Sequence, residues 1–200
     1  VSPVNYVGIF IEETSYKVFS QKIRDLLGLS VEWYAKSRTA EDSFNIIRAA
    51  ISNIGTLVMM SGIVGNNTHR PLSIDEFRAF SVIDEYAPLI FINSNDSTNG
   101  KLFSLLHEFS HICIGENSLF NDRYSTGKKV RKVETLCNAV AAEVLVPQKF
   151  FVREWSAAIQ ENEQEQAIHV LAHNFKCGAT VIARKAYDNG FIEYDLYQKI

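Results

Sequence analysis

Two histidines and a glutamate in the run His107-Glu108-Phe109-Ser110-His111 are the residues whose types and spacing promise chemistry. On a helix, residues four apart share a face, with Cβ atoms about 5–6 Å apart. His107 and His111 can therefore each bring a ring nitrogen to about 2.0–2.1 Å from one zinc ion. Glu108 sits about 100° further round, beside the metal, where a carboxylate can take a proton from water. This is the HExxH spacing of the zincins. The competing reading is a pair of ordinary helix histidines. The neighbours argue against it, because Leu102, Phe103, Leu105, Leu106, Phe109, Ile112 and Ile114 make the helix apolar nearly all round. Two imidazoles and a carboxylate buried together need partners, and a metal supplies one.

A catalytic zinc site takes three protein ligands and keeps a position open. The metzincin extension requires a glycine three residues past His111 and a histidine three beyond that. Ile114 and Asn117 stand there instead, so the third ligand lies elsewhere. Glu134 is the leading candidate. On a helix over about 130–146, Asn138, Ala141 and Leu145 share its face, while Lys132 and Glu143 fall on the other. That phase assigns Glu143 to solvent and turns Glu134 inward, where an unpaired carboxylate is costly. The alternative for Glu134 is a first-turn glutamate favoured by the helix dipole. Glu116 and Asp122 are weaker candidates. The donor set favours Zn2+, with Mn2+ or Fe2+ also compatible. Tyr124 and His69 are candidate donors to a developing oxyanion.

The elements that must position these groups follow from pattern and punctuation. Tyr16–Leu27 has helical spacing and ends at Gly28. Thr39 with Asp42 forms a variant capping box for a helix to about Asn53. Three strands are expected at 56–60, 77–83 and 88–93, the last two joined by a hairpin-sized loop. Residues 65–71 read as a polar turn. Helices follow at about 100–114, which Gly115 ends, 130–146, which Pro147 ends, and then near 148–160, 163–174 and 179–189. The expected fold is α+β, mostly helical, with a small three-stranded antiparallel sheet packed on the HExxH helix. Residues 1–37 read as an N-terminal helical segment or linker and 38–200 as the metallopeptidase domain. A substrate backbone is expected to add along an edge strand, with 88–93 the candidate.

Composition bounds the remaining classes. Two hundred residues, 46% of them hydrophobic, suffice for one core, and a net charge of -3 gives no general attraction to nucleic acid or anionic membrane. The three cysteines, Cys113, Cys137 and Cys177, are odd in number and widely spaced, which fits buried reduced thiols in a cytoplasmic protein. No apolar run is long enough to span a bilayer. The chain opens on Val1-Ser2-Pro3, with neither a signal-peptide pattern nor an initiator methionine, so residues are expected to be missing ahead of it.

With these residues in place the sequence resembles the ImmA/IrrE-type metallopeptidases. The stretches that carry the likeness are 80–84 (FSVID), 88–93 (PLIFIN), 105–111 (LLHEFSH) and 134–147 (ETLCNAVAAEVLVP). The last is the most specific, and the resemblance as a whole covers about residues 40–190. The resemblance implies that Glu134 is the third metal ligand. It departs from the family at Ser110, where glycine is usual, Cys137, where alanine is usual, and Val140, where phenylalanine is usual. It implies a zinc-dependent endopeptidase with Glu108 as general base. Its substrate would be a helix-turn-helix transcriptional repressor, encoded nearby or fused N-terminally.

Two features compete with that reading. His169 and His173 are a second i, i+4 pair, but no glutamate follows His169, which assigns them to a helix surface. Residues 168–192 read as helix, turn with Gly178, helix, mimicking a helix-turn-helix in which Lys176, Arg184 and Lys185 could meet phosphates. Tyr187, Val181 and Ile182 read there as packing residues. The alternative function is a DNA-binding or regulatory module with a structural metal and no proteolysis.

Overall fold

The computed structural model describes residues 2–10, 15–65, 67–115 and 128–200, with side chains from residue 131 onward in the last stretch. Glu116, Asp122 and Tyr124 lie outside the described residues. The first helix, α1 (Tyr16–Leu26), starts where Ser15 accepts a hydrogen bond from the Val18 N–H, and buries Phe19 and Ile23 one turn apart. Helix α2 (Ala40–Asn53) carries the expected capping box in full. Thr39 accepts from the Asp42 N–H at 3.1 Å, and Asp42 accepts from the Thr39 N–H at 3.0 Å. Between them a single 3-10 turn, Trp33–Lys36, sends the Trp33 indole N–H to the Val144 carbonyl at 2.9 Å.

Five strands follow: β1 (Leu57–Ser61), β2 (Ile63–Val64), β3 (Asn67–Pro71), β4 (Ala79–Val82) and β5 (Leu89–Asn93). The principal sheet has the order β1-β5-β4, and it is mixed rather than antiparallel. β4 pairs antiparallel with β5, as a short connection requires, whereas β1 pairs parallel with β5, Leu57 opposite Leu89 and Ser61 opposite Asn93. A parallel pair needs a long connection, and residues 62–88 supply it. Inside that connection β2 and β3 form a bulged antiparallel ribbon in the stretch read from sequence as a turn. All of β3 is exposed, so it shows no apolar alternation. The strand over 89–93 is central, not an edge, because Ile90 and Ile92 are fully buried and a neighbour bonds it on each side. β4 and β1 are the edges of this sheet among the described residues.

The remaining helices are α3 (Thr98–Ile114), α4 (Lys128–Leu145), α5 (Gln148–Glu161), α6 (Gln164–Phe175), α7 (Ala179–Asp188) and a short α8 (Tyr194–Lys199) that the sequence pattern did not reveal. α3 is capped by Ser97, which accepts from the Gly100 N–H at 3.1 Å. It ends at Gly115, whose φ of +83° is the left-handed cap that glycine adopts without strain. A side chain there would also collide, since an added Cβ would lie 2.9 Å from the Gly8 Cα. α3 is the centre of the molecule: Leu102, Leu105, Leu106, Phe109, Ile112 and Cys113 are all fully buried. α2, the sheet and α4 all pack against it, and α1 packs on α4. No helix among the described residues is long and apolar enough to cross a membrane.

Candidate metal centre

The burial that fixes α3 also fixes its two histidines. Their ring centroids are 4.8 Å apart and their Nε2 atoms 3.1 Å apart. Glu134, in the second turn of α4, reaches across from the neighbouring helix. Its Oε1 lies 3.1 Å from His111 Nε2 and its Oε2 3.3 Å from His107 Nε2. Among the described residues this is the one group of three metal-ligating side chains whose donor atoms converge.

The spacing suits a tetrahedral ion. With metal–ligand bonds of about 2.0–2.1 Å, the edges of a tetrahedron come to about 3.3–3.4 Å; the observed separations match this to within about 0.3 Å. Two imidazole nitrogens and a carboxylate are a donor set for zinc, and three protein ligands leave a place for water or substrate. Access is graded. The His111 side chain is fully buried, that of His107 is 15% exposed and that of Glu134 33%, so the open side lies toward His107 and Glu134. Asn138, one turn beyond Glu134, is exposed. That face of α4 is thus a rim at Glu134 and Asn138 and becomes core at Ala141 and Leu145, which are buried. Burial on its own would raise the Glu134 carboxyl, but hydrogen bonds and charge from His107 and His111 outweigh it and hold the group well below the usual carboxylate range.

Glu108 is placed by a different contact. Its carboxylate is 5% exposed, and Oε2 accepts a hydrogen bond of 2.8 Å from the Ser81 hydroxyl. Strand alternation turns Ser81, fully buried, toward α3. Its neighbour Phe80 faces the other side and stacks on Phe91 at 5.2 Å. Sequence reasoning gave Ser81 no role: it stands in the matching stretch 80–84, but a lone serine in a short strand does not reveal which carboxylate it will meet. Ser110, the departure from glycine inside the motif, is satisfied locally by donating to the Leu106 carbonyl at 2.8 Å. Cys137 and Val140 are fully buried and pack in the core. His69 lies on exposed β3, apart from the converging group.

The features outside this centre divide clearly. His169 and His173 are both exposed on α6, as expected. Glu143 is not solvated. It is 6% exposed, and its Oε2 accepts from Lys185 Nζ at 2.6 Å while Oε1 accepts from the Gln148 N–H at 2.9 Å. The helix phase was read correctly, but that face of α4 is covered by α7, whose docking is not legible locally. Lys185 is therefore buried, and its burial lowers its pKa against the pull of Glu143, so it is not a phosphate contact. Arg184 pairs with Asp188 at 3.0 Å and lies over the Tyr197 ring. Ile182 is fully buried, whereas Tyr187 is 37% exposed and stacks on Tyr197.

Residues 66–187 match the family model Peptidase M78, described as an IrrE N-terminal-like domain. No curated protein matches the chain.

Proposed function

Since the chain belongs to the Peptidase M78 family, we propose that it is a zinc-dependent endopeptidase that hydrolyses a peptide bond in a helix-turn-helix transcriptional repressor, encoded nearby or fused N-terminally. The observation that carries the hydrolytic part is the convergence of His107, His111 and Glu134 beside a carboxylate, Glu108, that is not one of the three. The repressor as substrate is supported by the resemblance to ImmA/IrrE-type enzymes.

His107, His111 and Glu134 would hold the metal. A divalent ion so bound supplies a Lewis acid for the scissile carbonyl and acidifies water. Glu108 takes the proton from the attacking water and returns it to the departing amine. Ser81 holds Glu108 Oε2, so the carboxylate meets the reacting atoms in a fixed orientation. β4, which is bonded only through β5 among the described residues and packs on α3, takes the place of 88–93 as the edge along which a substrate backbone adds.

The test uses the metal-loaded chain, its Glu108→Gln variant, and the helix-turn-helix protein encoded nearby, with cleavage read by mass spectrometry. The wild type cleaves and stops when a chelator is added. The variant retains a full equivalent of metal and does not cleave. Unchanged proteolysis by Glu108→Gln refutes its role as base. Absence of cleavage by the metal-loaded wild type refutes the choice of substrate.

A further inference from the structure

A second site, independent of the peptidase reading, lies at the opposite end of the metal-bearing helix. A cleft of about 440 Å³ opens where Arg38 and Thr39 at the start of α2, Asn99 in the first turn of α3, and His169, His173 and Lys176 of α6 and its cap meet. None of the side chains lining it is acidic, in a chain with more acids than bases. The acids nearby are engaged elsewhere. Asp42 accepts from the Arg38 and Thr39 N–H groups, Glu41 accepts from the Thr98 hydroxyl, and Glu165, which senses His169, pairs with Lys199 at 2.6 Å. Neither Arg38 nor Lys176 takes part in an ion pair among the described residues. The cleft therefore gathers two full positive charges and two imidazoles with no acid in its lining; the neighbouring Asp42 carboxylate feels the Arg38 charge but spends its hydrogen bonds on backbone N–H groups.

Its backbone adds to the same sign. The first turns of α3 and α7 both begin here and contain no acid; the positive end of α7, at Ala179, meets the cleft, while that of α3 is offset in part by Asp96, which accepts from the Ser97 N–H at 2.7 Å. Lys176 is the one described non-glycine residue with a positive φ, +54°. That cap position is ordinarily filled by glycine, and a lysine there carries its charge to the cleft at a conformational cost. The volume falls within the range of small-molecule sites and exceeds what a bare anion fills.

We infer that this cleft binds a phosphate monoester, with Arg38 and Lys176 on the phosphate and Asn99 and the two histidines donating around it. His107 lies eight positions beyond Asn99, about 12 Å along the helix. An occupant would thus brace the start of α3 against the α6–α7 turn, where an added Cβ on Gly178 would touch Asn99.

The test is calorimetric titration of the metal-loaded full chain with inorganic phosphate and with adenosine monophosphate, at fixed ionic strength. It is repeated after chelation and with the Arg38→Gln/Lys176→Gly variant. Glycine suits the left-handed cap, so this variant should keep its thermal unfolding midpoint. Both ligands should bind saturably, the monoester more tightly. The variant should weaken both by tenfold or more, and chelation should change neither. Absence of saturable binding, unchanged affinity in the variant, or loss on chelation, which would place the phosphate on the metal, overturns the inference. Tighter binding of a short DNA duplex than of the monoester overturns it in favour of a nucleic-acid contact.

Discussion

Replacing Lys185 by methionine removes one half of an ion pair that is almost wholly out of water. The Lys185 and Glu143 side chains are 9% and 8% exposed and their charged atoms 2.6 Å apart. Solvent screening therefore offers Glu143 little substitute. What stays with it is the Gln148 N–H on its carboxylate at 2.9 Å and the charge of buried Arg24, whose guanidinium binds the Glu143 backbone carbonyl rather than the carboxylate. Breaking such a pair from one side costs about 3–5 kcal/mol, a third or more of the stability of a typical domain. For a chain of this size the unfolding midpoint should fall by about 6–20 °C. Converting both partners, Glu143→Leu with Lys185→Met, removes the orphaned charge as well as the pair. It leaves the Gln148 N–H without an acceptor, its side-chain oxygen without the Lys185 donor and Arg24 without the Glu143 charge, a loss of about 1–3 kcal/mol. Urea unfolding followed by circular dichroism measures all three variants. The double variant should lose less than Lys185→Met alone. If Lys185→Met costs under about 1 kcal/mol, or the two single losses simply add, the pair is hydrated and the burial argument fails.

Three further outcomes follow from the site and its supports. Zinc at about a hundredfold over its dissociation constant should stabilise the chain by about 2.7 kcal/mol; a chelator, or Glu134→Ala, should abolish that gain in a thermal melt. Ser81→Ala should leave metal content intact and lower kcat more than it raises KM, with Ser81→Thr restoring most of the rate; an unchanged kcat removes Ser81 from the orientation of Glu108. Asp42 is held below the usual carboxylate range, chiefly by the Thr39 and Arg38 N–H groups. Its contribution is therefore complete above the unfolded-state value near about pH 4 and is lost as pH falls through the lower folded value. Acid unfolding of Asp42→Asn should show a shallower slope in that window than the wild type.

The legible parts of the molecule were those whose cause is local. Thr39 and Asp42 announced the start of α2 because a capping box closes within four residues. His107, Glu108 and His111 announced a candidate metal centre because helix geometry alone places them. Glu134 needed one further step, the phase of α4, and that step erred at the other end of the same helix. Glu143 faces away from Glu134, but what covers that face is Lys185, 42 positions later. The sheet failed for a similar reason. Strand lengths follow from apolar runs, whereas the insertion of β5 between β1 and β4 depends on pairings that no single segment encodes. β3, an exposed Asn-Thr-His-Arg-Pro run, has no apolar face to betray it.

The last turn of α3 is held by residues about a hundred positions earlier. The Gly8 N–H donates to the Ile112 carbonyl and the Phe10 N–H to that of Cys113, each at 3.1 Å. These carbonyls come directly after His111, at a helix end where the Gly115 N–H also reaches that of Ile112 at 3.1 Å and that of Cys113 would otherwise lack an intrahelical partner. The clasp lies outside the matched span, residues 66–187, so that span excised by itself would keep every candidate metal ligand yet let the turn bearing one of them fray. Affinity for an ion at this centre would in this sense be divided between a motif and a strap that shares no chemistry with it.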